Sequence, residues 1–258
     1  MSRSDPVRSK YFAPLESAEF TSGALFYIGA VLSVVVLFIE KVTHPLLYTI
    51  AMIAFAVSVA ALFCVDMATR LYFGPRATDE RTRDFVSSVY RVKLTHELTD
   101  GYYNNALQDP EKRLAAQVLE NTHFSKTIVL EMAKIERIKV AGYMLIWFVT
   151  LLNRDVSFDL TIVASQAVFS EQILSKWMRM EWLRSRCESI YKDVYKLFQS
   201  CPSKSTFSAG AVEAFATYES AKANAAITLS GKIFEKKNAL LSSEWVEIQG
   251  ALNIARAP

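Results

Sequence analysis

Four polar side chains at the end of an uncharged run have the clearest potential for function in this sequence. The run covers residues 160–170 and contains Gln166 and Ser170, and Glu171 and Gln172 follow it directly. A carboxylate at membrane depth is costly and usually faces a cavity or a partner group. These four residues could therefore line a pore or form its gate. The alternative is that Glu171 marks the interface where a helix leaves the lipid.

A second group of side chains combines aromatic rings, amides and cations between residues 101 and 126. Such rings and amides can stack on and hydrogen-bond a base, a sugar or a peptide, and the cations can meet phosphates. The segment could form a ligand or partner surface, or it could be a helical turn with ordinary capping and packing. The candidate residues are Tyr102, Tyr103, Asn104, Asn105, Arg113, Asn121, His123 and Lys126.

The spacing of Arg91 and His96 resembles the Arg-x4-His motif of HEPN ribonucleases. In that family the pair lies on a helix and promotes in-line attack by the RNA 2′-hydroxyl. HEPN motifs usually place a polar residue after the arginine, whereas Val92 follows it here. A nuclease is therefore the minor interpretation of the pair, and a solvated helical face is the alternative.

Other catalytic motifs are absent from the sequence. It contains no GxGxxG or Walker-type loop, no GxSxG, no HExxH and no cysteine–histidine cluster with metal-ligand spacing. Cys64, Cys187 and Cys201 form no CxxC pair, so we expect no disulfide. We predict a protein that is not an enzyme and that uses neither a cofactor nor a metal.

Two uncharged stretches near the N-terminus are the strongest structural signal in the sequence, and the helices they predict must position the candidate residues above. Residues 20–39 and 45–65 contain no charged side chain, and only a short link separates them. A bilayer core of about 30 Å needs about 20 apolar residues in a helix. Both stretches meet that length, and the short link makes the two helices antiparallel neighbours. The sequence predicts a cytosolic tail over residues 1–19 and a transmembrane hairpin over residues 20–73.

The lysines and arginines near the ends of these stretches predict their orientation. Arg3, Arg8 and Lys10 precede the first stretch, arginines cluster after the second, and Lys41 is the single cation in the link. We expect a multi-pass protein of the bacterial inner membrane with both chain termini in the cytoplasm.

A weaker apolar hairpin is predicted over residues 140–177. Its two runs, residues 140–153 and 160–170, are shorter than the first pair, and charged residues lie between them. Segments of this length can span the bilayer, re-enter it or pack inside a protein. Flanking cations such as Lys139 and Lys176 repeat the pattern of the first hairpin and favour two further spans. A buried or interfacial hairpin is the alternative.

Apolar residues then recur at steps of three and four, which approximates the seam of a coiled coil. The seam could pack against the protein's own helices or against identical chains. Its members are Ile173, Trp177, Met180, Leu183, Cys187, Ile190, Val194 and Leu197.

The remaining sequence predicts helices in two cytosolic regions, residues 74–139 and 178–258. We expect Gly74-Pro75 to break the preceding helix. No segment shows sustained strand alternation, so the predicted fold class is all-α: a helical membrane protein with two transmembrane hairpins, the second weaker, and a cytosolic helical domain. We expect soluble helices over residues 79–99, 110–139, 208–226 and 229–237, and a last one capped by Ser242 or Ser243.

This plan resembles the SMODS-associated four-transmembrane effectors and related SLATT-type membrane proteins of bacterial antiphage defence. The resemblance is architectural, covers about residues 20–200 and carries over no site residue. It implies an oligomeric, pore-forming effector of abortive infection that permeabilises or depolarises the membrane on a signal from a cytosolic sensor protein or a nucleotide second messenger. The alternative is a membrane anchor that recruits a partner enzyme. The net charge of +3 gives no reason to expect direct nucleic-acid binding.

Overall fold

The computed structural model describes residues 5–97, 99, 107–153 and 157–254. All regular elements within these residues are helices, which confirms the predicted all-α class. Three π-helical turns, Arg8–Phe12, Thr69–Phe73 and Glu171–Ser175, adjoin the α-helices. The α-helices are α1 (Ala13–Phe38), α2 (Pro45–Ala68), α3 (Gly74–Tyr90), α4 (Pro110–Leu152), α5 (Phe158–Val168), α6 (Lys176–Ser200), α7 (Lys204–Ala225) and α8 (Gly231–Ala251).

Two helical runs are long and apolar enough to cross a membrane. The first extends over Arg8–Phe38 and the second over Pro45–Tyr90, and their most apolar windows have mean hydropathies of 2.1 and 2.4. Pro45 opens α2, where the missing N–H of proline removes no helical hydrogen bond. From Arg8 onward, the predicted tail of residues 1–19 is therefore helical, because these residues belong to the first run.

The second run continues through Gly74-Pro75, where the sequence predicts a break. The N–H of Gly74 donates to the carbonyl of Thr69, which is the wide spacing of a π turn. A side chain on Gly74 would place its Cβ only 3.0 Å from that carbonyl oxygen. The π turn accommodates Pro75, which has no N–H to donate, and the helix carries on as α3.

Helix α3 ends at Tyr90, earlier than the predicted boundary at residue 99. Arg91 has a positive φ of 54°, the left-handed conformation that stops a helix. Helix α4 is longer than predicted, because it continues past residue 139 to Leu152 without interruption. At 1.5 Å per residue, this single helix is about 65 Å long.

The C-terminal region contains two helices with serine caps. Ser203 caps α7 by accepting from the N–H of Thr206, and Ser230 caps α8 in the same way. The sequence predicts two short helices where α8 is continuous. Ser242 and Ser243, predicted as caps, lie inside α8, and the hydroxyl of Ser243 bonds the carbonyl of Leu240.

The chain divides into two compact units. The polar unit contains residues 5–11, 76–134 and 179–254, and the apolar unit contains residues 12–75 and 135–178, apart from the residues outside the described ranges. The polar unit has a continuous core that includes Leu114, Val118 and Leu119 of α4, Met180, Leu183, Cys187, Ile190 and Val194 of α6, and Ala211, Ala214 and Tyr218 of α7.

The N-terminal segment packs into the polar unit. Val7 is fully buried, and the carboxylate of Asp5 accepts hydrogen bonds of 3.0 and 2.7 Å from Nη2 of Arg81. Lys10 pairs with Glu97. The residues immediately before α1 are therefore part of this unit.

Candidate functional site

A hydrogen-bonded chain of three polar side chains joins distant segments within the apolar unit. Ser22 of α1 is almost fully buried, and its hydroxyl donates to the carboxylate of Asp66 in α2. The amide nitrogen of Gln172 donates to the same Ser22 oxygen at 2.9 Å. Because a buried polar group is costly unless it is hydrogen-bonded, the three side chains hold their segments together.

An ion pair lies next to these three hydrogen-bonded side chains. Arg70, in the π turn that follows α2, pairs with Glu171, in the π turn that precedes α6. Both side chains are about half exposed, 47% for Arg70 and 43% for Glu171. We name these five residues, Ser22, Asp66, Arg70, Glu171 and Gln172, the polar cluster. It connects the first predicted hairpin to the fourth apolar segment through two adjacent contacts.

The fourth segment is not one continuous helix. Helix α5 ends at Val168, Phe169 and Ser170 leave the helical path, and a π turn begins at Glu171. The sequence predicts a span that continues to residue 177, and the structure replaces it with an interrupted segment. Two buried hydroxyl oxygens, those of Thr69 and Ser170, have no hydrogen-bond partner among the described residues. Each is the sequence neighbour of a member of the Arg70–Glu171 pair.

The four pore or gate candidates thus have different surroundings. Glu171 and Gln172 belong to the polar cluster, and Ser170 immediately precedes Glu171 in the sequence. Gln166 is exposed on α5. The polar contact of α5 comes instead from Ser165, whose hydroxyl accepts from the indole N–H of Trp147 at 2.8 Å.

The apolar seam lies mostly in the interior of the protein. Met180, Leu183, Cys187, Ile190 and Val194 are all buried in the core of the polar unit. Ile173 is also buried, whereas Trp177 and Leu197 are half-buried. Of the two interpretations of the seam, packing against the protein's own helices is the one observed for the five core members.

Half of the predicted ligand surface cannot be placed, because Tyr102, Tyr103, Asn104 and Asn105 lie outside the described residues. Arg113 is buried and donates from Nε to the carbonyl of Leu107 at 2.8 Å and from Nη1 to that of Val89. Burial, followed by the charge of Arg91, lowers its pKa. Arg113 therefore holds backbone carbonyls of α3 and of the segment before α4, and its predicted contact with a phosphate stays a prediction.

The other three candidates lie along one stretch of α4. His123 is buried, Asn121 and Lys126 are half-buried, and the Nζ atom of Lys126 is 3.4 Å from the ring centre of Tyr191. Burial, and then the charge of Lys126, lowers the pKa of His123 to about 4. Nε2 of His123 is 3.3 Å from a carboxylate oxygen of Glu244 without a hydrogen bond between them. His123 is therefore a neutral side chain at neutral pH.

The Arg91–His96 pair does not lie on a helix. Arg91 follows the last residue of α3, and the segment from residue 92 to residue 97 is not helical. Arg91 donates from Nη1 to the side-chain oxygen of Gln108 at 2.9 Å, and both members of the pair are exposed. The helical setting that the HEPN resemblance implies is therefore missing for Arg91 and His96. The alternative interpretation, a solvated helical face, does not apply either, because the pair is not on a helix.

Comparisons with known proteins provide no relative for this chain. No protein-family model matches it, and neither the curated proteins nor the solved structures gave a match. Within the described residues, no three histidine, cysteine, aspartate or glutamate side chains come together to hold a metal ion. The candidate site therefore rests on the geometry of the polar cluster alone.

Proposed function

We propose that this chain is a membrane-embedded, oligomeric effector that permeabilises or depolarises the bacterial inner membrane when a cytosolic signal or partner acts on its polar unit. In this proposal the apolar unit lies in the bilayer, and the chain termini are cytoplasmic. The setting in antiphage defence follows from the architectural resemblance to the four-transmembrane and SLATT-type effectors, which is its only support.

The observation that carries the proposal is the exposure of the two apolar runs. Only 11% of the most apolar window in each run is buried. The core helix of a soluble protein would be mostly buried, and soluble proteins rarely expose contiguous apolar patches of more than a few hundred Å². A signal sequence near the N-terminus would account for the first run but leave the second unexplained. Lipid is the partner that fits both surfaces.

The polar cluster supports a role as a gate in the closed state. Its two contacts hold the interrupted fourth segment against the first hairpin, and an ion pair with half-exposed partners is individually weak. A modest rearrangement can therefore release the segment. Release would separate Gln172 from Ser22 and leave polar side chains facing a path through the unit, which admits water and ions.

The last part of α4 and α5 would face lipid or a second copy of the chain. Leu145, Ile146, Phe148 and Leu152 are exposed on α4, as is Phe158 on α5. Exposed apolar side chains of this kind favour such contacts over contact with water. The anchoring alternative expected these two segments to be buried in protein.

A vesicle experiment tests the proposal. The full chain and its Glu171→Arg variant are each reconstituted in vesicles of phosphatidylethanolamine and phosphatidylglycerol that contain a self-quenching dye. We expect Glu171→Arg to release dye several-fold faster than the unaltered chain, because Arg70 then faces a like charge. Glu213→Arg, an equal change of charge at an exposed position of α7, should release dye no faster than the unaltered chain.

The second candidate is a membrane anchor that recruits a cytosolic partner enzyme without forming a pore. One observation favours it: α5 has 11 residues, a length of about 16 Å against a bilayer core of about 30 Å. An anchor predicts that vesicles retain their dye with every variant. That result, obtained with protein shown to be inserted in the vesicles, would overturn the permeabilising function.

A further inference from the structure

An open groove lies between α6 and α8 in the polar unit. Its volume of about 450 Å³ falls within the range of roughly 300–1,000 Å³ typical of small-molecule sites. One wall is a continuous face of α6 and the other is the last part of α8. The lining residues are Tyr191, Lys192, Tyr195, Lys196 and Gln199 on α6, and Glu247, Ile248 and Ala251 on α8.

The α6 wall combines aromatic faces with hydrogen-bond donors. Tyr191 and Tyr195 are one helical turn apart, with ring centres separated by 5.9 Å and ring planes inclined at 33°. Lys192 and Lys196 repeat the same spacing beside them. All five α6 residues of the groove can donate a hydrogen bond, whereas Glu247 is the one acidic lining residue among the described residues. Such a wall suits a ligand with a planar ring and acceptor oxygens.

Charged groups of both signs surround Tyr191. Lys126, half-buried, places its ammonium group over the Tyr191 ring. Burial lowers the pKa of Lys126, the carboxylates of Glu188 and Glu244 raise it, and the charge of Lys192 lowers it by less than either carboxylate raises it. Lys192 and Lys196 are exposed where they line the groove, so their ammonium groups can meet an anion there.

A buried histidine lies next to one wall of the groove. The ring centre of His123 is 6.0 Å from that of Tyr191. Its Nε2 is 3.3 Å from a carboxylate oxygen of Glu244, so the Tyr191 side of the groove is backed by packed polar groups.

We infer that the groove between α6 and α8 binds a small planar aromatic anion, of which a nucleoside monophosphate is the simplest example. The ring stacks on Tyr191 and Tyr195, and the anionic group contacts Lys192 and Lys196. This inference is independent of the proposed permeabilising function, since it concerns the polar unit alone.

Calorimetric titration of the full chain in detergent micelles with AMP tests the inference. Stacking is tolerant of base identity, so AMP represents the class. We expect saturable binding that weakens as salt is added, because exposed charges contribute to it. Adenosine and inorganic phosphate each supply only one of the two interactions and should bind about tenfold or more weakly, the factor that corresponds to about 1.4 kcal/mol.

Two pairs of lysines provide a matched comparison. Lys192→Glu with Lys196→Glu should weaken AMP binding by about tenfold or more, since each reversal replaces an attraction to the anionic group by a repulsion. Lys232→Glu with Lys236→Glu makes the same change one turn apart on α8, at exposed positions outside the groove, and should leave binding intact. Tyr195→Leu keeps an apolar side chain without the ring and should also weaken binding.

Three results would overturn the inference. One is the absence of saturable AMP binding by folded protein. Another is equal weakening by both lysine pairs, which would show a general charge effect. The third is inorganic phosphate binding as tightly as AMP, which would exclude a contribution from the aromatic ring.

Discussion

Glu171 has a charged partner that its position in the sequence does not reveal. The sequence marks it as a carboxylate at the end of an apolar run, and the structure pairs it with Arg70. Ser22 joins the same cluster, although Asp66 is 44 residues and Gln172 is 150 residues from it along the chain. Spacing along one helix cannot predict such contacts, because they depend on how separate helices pack. Asp66, the first charge after an uncharged stretch, was the available signal.

A charge swap tests the pairing of Arg70 with Glu171. Glu171→Arg alone places two cations together and should accelerate leakage from vesicles. Arg70→Glu combined with Glu171→Arg restores opposite charges and should return leakage to the level of the unaltered chain. If the double variant leaks as fast as the single one, the two residues act separately and the gate does not depend on their contact.

His123 makes stability depend on pH. Its pKa is about 4 in the folded protein and about 6.5 when the chain is unfolded, so only the unfolded state binds a proton between these values. The free energy of unfolding should therefore decrease as the pH falls from 7 to 4, by about 3 kcal/mol at most. Thermal unfolding of the full chain in detergent at a series of pH values measures this loss.

Substitution separates this contribution from that of other groups. His123→Gln cannot take up the proton and should flatten the pH dependence in that range. His96→Gln changes an exposed histidine and should leave the dependence unaltered. Equal slopes for the His123 variant and the unaltered chain would contradict the assignment.

At the scale of elements, hydropathy and spacing predict helices better than they predict where helices end. The two apolar runs and the apolar seam of α6 follow from composition and period alone. The observed helix ends differ from the predicted ones because π turns and tertiary packing determine where each helix stops. The second run passes Gly74-Pro75 by means of a π turn, and α4 joins a polar and an apolar segment that looked separate. The interruption of the fourth segment at Phe169 and Ser170 also has no marker in the sequence.

Gly74→Ala tests the importance of the π turn. The added Cβ would lie 3.0 Å from the Thr69 carbonyl oxygen, which is backbone and cannot easily move away. We expect the variant to lose about 1–3 kcal/mol of stability, the usual cost of overpacking, in thermal or denaturant unfolding. Gly142→Ala is the matched control on α4, because a Cβ there meets no atom within 4 Å. Equal stability of the two variants would show that Gly74 has no special role.

At the scale of the whole molecule, two helical runs are long and apolar enough to cross a membrane. We propose that both runs cross the bilayer and that both chain termini are cytoplasmic. The distribution of lysine and arginine residues near the runs supports this orientation.

Thiol labelling of intact cells tests this topology. In a variant without Cys64 and Cys187, the exposed Cys201 should react with a membrane-impermeant maleimide only after the cells are permeabilised. A cysteine introduced in place of Lys41 in the link, with all native cysteines replaced, should react in intact cells. Labelling of Cys201 from outside, or protection of position 41, would require a different orientation.

The central claim is that release of the polar cluster makes the membrane leaky, and the membrane potential of living cells reports this most directly. Bacteria expressing the unaltered chain, Glu171→Arg, or the Arg70→Glu/Glu171→Arg double variant at equal levels are compared with a voltage-sensitive dye. We expect rapid depolarisation with the single variant and a normal potential with the other two. A normal potential in all three cultures, with the proteins present in the membrane fraction, would contradict it.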